Sequence, residues 1–380
     1  MITRIRIKNF RSLADVDVRL SPATVLIGRS GTGKSNFLRA IRFLRDFISG
    51  QPMAVINAFG GWGQIVSRVN PDATDVEFIA NFSLPGFAEE FCYHLAIGRS
   101  IQPGHLAVVK ETLKAGDRNL IAASIAKDAV PSLFGPGQPA PVELQSLSGN
   151  QEIAITFQVL SQGVGCYDFP GNVLRDKNRD KAKLPVGEGL SDDGSTYLAA
   201  LNDIQNDLHR LSHWRQIISA AQVINPSFDS LGMSRPIPER VDVVHRISDG
   251  LLSFELAQES EGFRKFLAHV IALYQTPPKF LLAFEEPEKG IYPGALAVLA
   301  EEFKACAASG RGQVILTTHS PQLLDHFDPE QVRVVEITDM GTRIGPMSPE
   351  QLESVKEQLM TTGELLTVDP ARLETPPVEA

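Results

Sequence analysis

Gly28-Arg29-Ser30-Gly31-Thr32-Gly33-Lys34-Ser35 fits the phosphate-binding pattern G-x-x-x-x-G-K-[ST] at every defined position. Its three glycines let the backbone take conformations that a side chain forbids, so that successive N–H groups close around phosphate oxygens. Lys34 is then placed to reach the β- and γ-phosphates, and the Ser35 hydroxyl to ligate Mg²⁺. Far along the chain, the apolar run Phe280-Leu281-Leu282-Ala283-Phe284 delivers Glu285-Glu286-Pro287-Glu288. Carboxylates at the end of a buried strand suit nucleotide hydrolysis, one holding the metal shell and the next polarising the attacking water. Glu285 is assigned to the metal and Glu286 to the water. A second apolar run, Val314-Ile315-Leu316-Thr317-Thr318, ends in His319, whose neutral imidazole can hydrogen-bond a γ-phosphate or the lytic water.

Such residues need a scaffold that brings them to one edge. Residues 24–27 form a short β-branched run before the glycine loop, and Phe37, Leu38, Ile41, Leu44 and Ile48 recur at helical spacing after it. Strand, loop and helix N-terminus therefore follow in the order that phosphate binding requires. Further on, residues 263–274, 280–284, 294–308 and 314–318 read as helix, strand, helix, strand, the signature of an α/β core with a parallel sheet. That arrangement puts Glu286 and His319 at the same sheet edge.

Residues 2–8 and 15–20 alternate apolar and charged side chains and read as half-buried strands. Residues 76–84, 91–97, 106–109 and 119–123 continue the pattern as an antiparallel meander attached to the nucleotide core. Residues 135–141 are a Gly/Pro loop, and the polar stretch 171–194, with Arg175, Lys177, Arg179, Lys181 and Lys183, reads as mobile. One long amphipathic helix is expected over 196–222, ended by Pro226. From Ser348 onward the chain is acidic, and its last dozen residues read as disordered. The expected division is an N-terminal lobe over 1–165, a loop and helical insertion over 166–235, a C-terminal lobe over 236–347 and a tail over 348–380.

The 380 residues are 43% hydrophobic, enough for a full core, and no run approaches the roughly 20 apolar residues of a membrane helix. The first residues read as a strand, not a signal peptide, so the expectation is a cytoplasmic protein with no membrane partner. Cys92, Cys166 and Cys306 are too few and too scattered for a disulfide framework or a zinc cluster. A net charge of −9 argues against a surface that coats nucleic acid, although residues 1–50 carry ten Lys/Arg against three Asp.

Asn9-Phe10-Arg11-Ser12-Leu13, the P-loop followed by Asn36, the Glu285–Glu288 quartet and Thr318-His319-Ser320-Pro321 together resemble the ATPases of the ABC/SMC/RecF superfamily. Within it the chain looks like the SMC-like AAA family ATPases, a group that includes the ATPase domains of OLD-family nucleases and many anti-phage defence ATPases. Cys166-Tyr167-Asp168-Phe169-Pro170 and Leu190-Ser191-Asp192-Asp193-Gly194-Ser195 extend the likeness, which touches most of residues 1–330.

The resemblance implies a P-loop NTPase fold of ABC/SMC-like type: a mixed central sheet, an antiparallel β subdomain and a helical insertion. ATP and Mg²⁺ are the implied ligands, with Arg11 and Asn36 at the nucleotide and Gln64 as a Q-loop metal ligand. It further implies that ATP is closed between two protomers by a signature serine at a helix N-terminus. Ser191 lies too far upstream, and Ser248 is followed by the strand-like run 251–256. Ser260, in Ser260-Glu261-Gly262, heads the helical face Phe263, Phe266, Leu267, Val270, Ile271 and Tyr274, so Ser260 and Gly262 are assigned. Two departures stand out: the first acid is Glu285 where the family usually has aspartate, and Tyr292, treated as structural, replaces a frequent histidine.

The implied function is an ATPase that forms an ATP-dependent homodimer and regulates an effector in trans, a nuclease or Toprim-like chain, in anti-phage defence. The 61 residues after His319 leave no room for a Toprim domain in this sequence. The alternative is a RecF-like DNA-repair ATPase that clamps DNA directly, which the Glu-rich acidic segment and acidic tail do not favour. A transporter ATPase subunit is disfavoured by the 225 residues between Lys34 and Ser260, and an SMC protein proper by the shortness of the heptad-like helix.

Overall fold

The computed structural model describes residues 1–50, 52–99, 106–124, 150–175, 189–207, 210–233 and 241–374. The chain divides into two units, Met1–Val164 with Pro329–Ala380, and Gly165–Asp328.

In the first unit the period-two pattern of the N-terminus becomes the strand Ile2–Phe10, paired antiparallel with Leu13–Arg19 and with Asp75–Ser83. Glu90–Arg99, Leu106–Ala115 and Arg118–Ser124 follow in turn, completing a six-stranded antiparallel sheet, the meander expected from the sequence. Ile5, Ile7 and Phe10 face the core, while Arg6 and Lys8 pair with Asp15 at 2.6 Å and Glu77 at 2.8 Å, and Arg4 pairs with Asp17. These cations are thus neutralised by sheet neighbours. Such exposed pairs contribute about 0–1 kcal/mol each.

The helix Lys34–Ser49 buries Phe37, Leu38, Ile41, Phe43, Leu44, Phe47 and Ile48. Phe43 meets Phe10 at 5.5 Å, Phe78 at 5.8 Å and Phe59 at 5.1 Å between ring centroids, which fixes the helix against the sheet. On another side the helix Gln151–Gln162, capped by Asn150, lies along it: Ser49 Oγ donates to the Ser161 carbonyl at 3.2 Å. Ahead of the glycine loop, Ala23–Ile27 is buried at every position and runs parallel to Val332–Thr338, which turns back antiparallel as Gly341–Gly345.

The carboxy-terminal segment is folded as far as residue 374. Ser348 caps the helix Pro349–Lys356, buried Gln351 donates to the Asp369 carboxylate at 2.9 Å, and the Leu373 N–H donates to Glu336 at 3.0 Å. The expectation of disorder over the last dozen residues therefore fails for 369–374, because a buried amide ties them down. Residues 375–380 lie outside the described residues, as do the loop 135–141 and the basic residues Lys177, Arg179, Lys181 and Lys183.

In the second unit, Phe228–Met233, Val241–Ile247 and Gly250–Glu255 form an antiparallel sheet. Its last strand is an edge, with Leu251 63% and Phe254 38% exposed. The helix expected over 196–222 is two helices, Tyr197–Asn206 and Leu211–Ile224. The first buries Leu201 and Ile204, the second Ile217, Ala220 and Ala221. At 100° per residue, Ile217 sits about 220° around the axis from Ile204, so one straight helix would leave one stripe bare. The expected mobile stretch 171–194 is also partly ordered: Gly171–Arg175 is helical, and Leu190 N–H donates to Gln275 at 2.9 Å.

The core of this unit alternates helix and strand as the sequence implied. The helix Glu261–Tyr274 precedes the strand Leu281–Glu285, and the helix Leu296–Ala308 leads to Gln313–Thr317, which pairs with it in parallel. Phe284 packs against Phe303 at 4.8 Å, Tyr167 at 5.2 Å and His269 at 5.6 Å. Burial pushes the His269 imidazole down to about 4, so the ring is neutral at pH 7, with Nδ1 2.7 Å from the Lys265 carbonyl.

Candidate functional site

The glycine loop sits in the first unit. Gly28, Gly31 and Gly33 have φ of +150°, +79° and +111°, the region that side chains avoid. Gly28 and Gly33 are also pressed from behind by the Val332–Gly345 hairpin: a Cβ would fall 2.1 Å from the Val335 carbonyl oxygen at Gly28 and 2.2 Å from Thr342 Oγ1 at Gly33. The helix that follows has Gly33 as its N-cap, with no side-chain cap and no acid in its first turn. Its first N–H groups and the positive end of its dipole are thus directed to an anion. Lys34 is buried and donates to the carbonyls of Gly28 at 2.7 Å and Arg29 at 2.9 Å, while Thr32 Oγ1 donates to the Arg29 carbonyl at 2.9 Å. Arg29, Ser30 and Gly31 form the exposed rim of the loop, and Ser35 follows Lys34 on the first helical turn.

A brace that the sequence did not reveal holds this loop. Asn36 Nδ2 donates to Ser12 Oγ at 2.9 Å, and Thr342 Oγ1 lies 2.8 Å from both Ser12 Oγ and the Thr32 carbonyl oxygen. Ser12 belongs to the Asn9–Leu13 motif, whereas nothing local marks Thr342. Beside the loop is a cavity of about 450 Å³ lined by Arg11, Asn36, Phe59, Gln64, Val66 and Arg68, among others. The chain enters it at a left-handed residue, Arg11 with φ of +52°, whose Nε is buried without a hydrogen-bond partner. Burial, and after it the charge of Arg39, lowers the pKa of this guanidinium, a setting that a bound anion relieves. Arg11, Asn36 and Gln64, separate in sequence, are thus brought together.

The acidic pair and the histidine lie in the second unit. Glu285 pairs in register with Thr317, so Glu286 and His319 leave adjacent parallel strands side by side. The Glu286 N–H donates to both the carbonyl and the hydroxyl of Thr317, each at 3.1 Å, and its φ is +46°. Glu286 Oε1 is 4.0 Å from His319 Nε2, and Oε2 is 2.9 Å from Lys289 Nζ. Glu288 Oε1 accepts from the Thr318 hydroxyl and from the His319 N–H, both at 2.8 Å. Asp168 lies in the same field: burial, then the charge of Glu285, raises its pKa.

Ser260 is the N-cap of the helix Glu261–Tyr274, its Oγ accepting from the Phe263 N–H at 3.2 Å. Gly262 admits no side chain, because a Cβ would fall 2.7 Å from the Gly290 carbonyl oxygen. Lys265 Nζ donates to the Lys289 carbonyl at 3.1 Å, so this helix start is fastened to the loop after Glu286. Ser248 lies in the turn between Val241–Ile247 and Gly250–Glu255, as its strand-like neighbours implied. Tyr292, assigned no part in the chemistry, is 76% exposed.

Residues 1–83 match the family described as an AAA ATPase domain, and residues 178–325 match the family described as "AAA domain, putative AbiEii toxin, Type IV TA system". An OLD nuclease of Thermus scotoductus (strain ATCC 700910 / SA-01) is 39% identical over 59 residues, 16% of this chain and 10% of that protein, so the match spans about a tenth of its length. Among solved structures, an SMC head bound to the C-winged helix domain of ScpA matches at TM-score 0.57 and 15% identity, covering 92% of this chain and 99% of that one. An SMC head with an extended coiled coil, bound to the C-terminal domain of ScpA and derived from Pyrococcus furiosus, gives 0.52 at 13% identity, covering 94% and 99%. The fold is the mixed α/β, ABC-like P-loop NTPase fold of an SMC head. Both of its matched segments are thus similar to AAA-family ATPase domains, and a short stretch is similar to an OLD nuclease. No helix among the described residues is long and apolar enough to cross a membrane.

Proposed function

We propose that the chain binds and hydrolyses MgATP, dimerises on ATP and thereby regulates an effector in trans, a nuclease or Toprim-like protein, with anti-phage defence as its setting. The observation that carries the hydrolytic part is the register of Leu281–Glu285 with Gln313–Thr317, which brings the Glu286 carboxylate within 4.0 Å of the His319 imidazole. In this reading the N–H groups of Gly28 to Gly33 and Lys34 hold the phosphates, while Arg11, Asn36 and the cavity take the nucleoside side. Glu286 accepts the proton of the attacking water, and His319 hydrogen-bonds the γ-phosphate. Ser260, with Gly262 allowing close approach, serves the nucleotide of the other copy.

The donor set fits Mg²⁺. Mg²⁺ takes hard oxygen donors and is held by one or two protein oxygens beside phosphates and water, which a hydroxyl and a carboxylate can supply. Ser35 and Glu285 are the proposed oxygens, with Gln64 as a third candidate. Bound Mg²⁺ would neutralise charge that develops on the phosphate oxygens.

The test is ATP-dependent assembly of Glu286→Gln, read by light scattering, beside phosphate release by the wild-type chain. Turnover should fall by about 10²-fold or more in the variant, with a dimer accumulating in MgATP. A variant that stays monomeric at saturating MgATP rules out the sandwich.

A further inference from the structure

We propose that Glu288 is a positioning residue that locks His319 into its working orientation, a role that rests on the hydrolytic reading above. Of the four residues Glu285 to Glu288, only the first two have an assigned part in the chemistry. Glu288 nevertheless collects two charge-assisted hydrogen bonds on one oxygen, from Thr318 Oγ1 and the His319 N–H, both at 2.8 Å. Its other oxygen is buried with no partner. A buried carboxylate oxygen left unpaired is unfavourable, and its retention points to work done by the first.

The turn is held on its far side as well. The Ser320 N–H donates to Thr318 Oγ1 at 2.9 Å, and Ser320 Oγ accepts from the Leu323 N–H at 3.1 Å, capping the short helix Pro321–Leu324. Ser320 N–H, Thr318 hydroxyl and Glu288 carboxylate therefore form a relay, and the His319 backbone joins the same carboxylate. Glu286 and Glu288 lie on one turn, so the segment that carries the proposed base also fixes the imidazole 4.0 Å from it. The side chain of His319 is 38% exposed, so packing does little to orient it; its backbone is what Glu288 holds.

The experiment compares Glu288→Ala, Glu288→Gln, His319→Ala and the double variant Glu288→Ala/His319→Ala. Glu288→Ala should lower kcat for MgATP about tenfold or more with KM little changed, because both donors lose their acceptor. Glu288→Gln keeps an oxygen in that place and should restore most of the rate. The double variant should be no slower than His319→Ala, since the first residue acts through the second. Independently of turnover, amide hydrogen exchange at His319 should accelerate in Glu288→Ala and not in Glu288→Gln. Should Glu288→Ala fold poorly, Thr318→Val removes one of the two donors and should show a smaller loss of the same kind.

Unchanged exchange at His319, or losses that multiply in the double variant, overturn the role of Glu288. Absence of ATP hydrolysis by the wild-type chain would instead sink the hydrolytic reading, and the exchange result still decides whether Glu288 holds the turn.

Discussion

The glycine loop and the Glu286 turn solve the same geometrical problem with opposite means. Both leave a buried strand through a left-handed backbone, φ of +111° at Gly33 and +46° at Glu286. In the first, the backbone itself is the proposed ligand, so glycine removes the side chain and a distant hairpin fills the space behind it. In the second the side chain is the proposed reagent and cannot be removed, so the strain is retained. Two hydrogen bonds from the Glu286 N–H to Thr317 hold it there. A phosphate cradle is made by omission and a base by restraint, and only the former leaves a strong mark in sequence.

The largest test of this contrast is Gly33→Ala. It meets both the φ penalty and Thr342 Oγ1 at 2.2 Å, and should remove about 4 kcal/mol between strain and overpacking. Calorimetry of MgATP binding and thermal unfolding should both register it, and a wild-type affinity would show that the hairpin yields freely. Next is acid stability. The His269 pKa is lowered from 6.5 to about 4, so the unfolded state takes up a proton first. The stabilisation is complete above pH 6.5 and is lost as pH falls towards 4, about 3 kcal/mol in all. Urea titrations across that window should show the slope and His269→Phe should flatten it; a wild-type curve with no slope would remove His269 from the core argument. Smallest is the strain at Glu286: Glu286→Gly should be more stable than Glu286→Ala by about 1 kcal/mol, the reverse of the usual order. Equal melting curves for the two would mean the left-handed backbone there carries no strain.

What the sequence made legible was local. The P-loop, the strand before it and the face of Phe37, Leu38, Ile41, Leu44 and Ile48 lie within one short stretch, where spacing alone encodes both conformation and chemistry. The acidic quartet and His319 were likewise readable, because each apolar run leads straight into ionisable groups and so sets them at the end of a buried strand. Thr342 was not, since its effect on Gly33 depends on a hairpin more than 300 residues away. The break between Tyr197–Asn206 and Leu211–Ile224 is not written in local spacing, since each apolar stripe satisfies helical periodicity by itself and only a common axis exposes their mismatch. Glu288 was visible as a letter in the quartet, yet its partners Thr318 and His319 come from the neighbouring strand, which only the sheet register supplies.

The bare edge Gly250–Glu255 has a practical side. Leu251, Leu252 and Phe254 are all more than a third exposed, on a strand whose outer row of backbone groups has no mate among the described residues, and Ile247 at the end of the neighbouring strand is 46% exposed beside them. Sticky, unpaired borders of this kind are where concentrated preparations begin to clump. A lysine at Leu251 is therefore the natural first substitution for anyone who needs the purified chain to stay in solution.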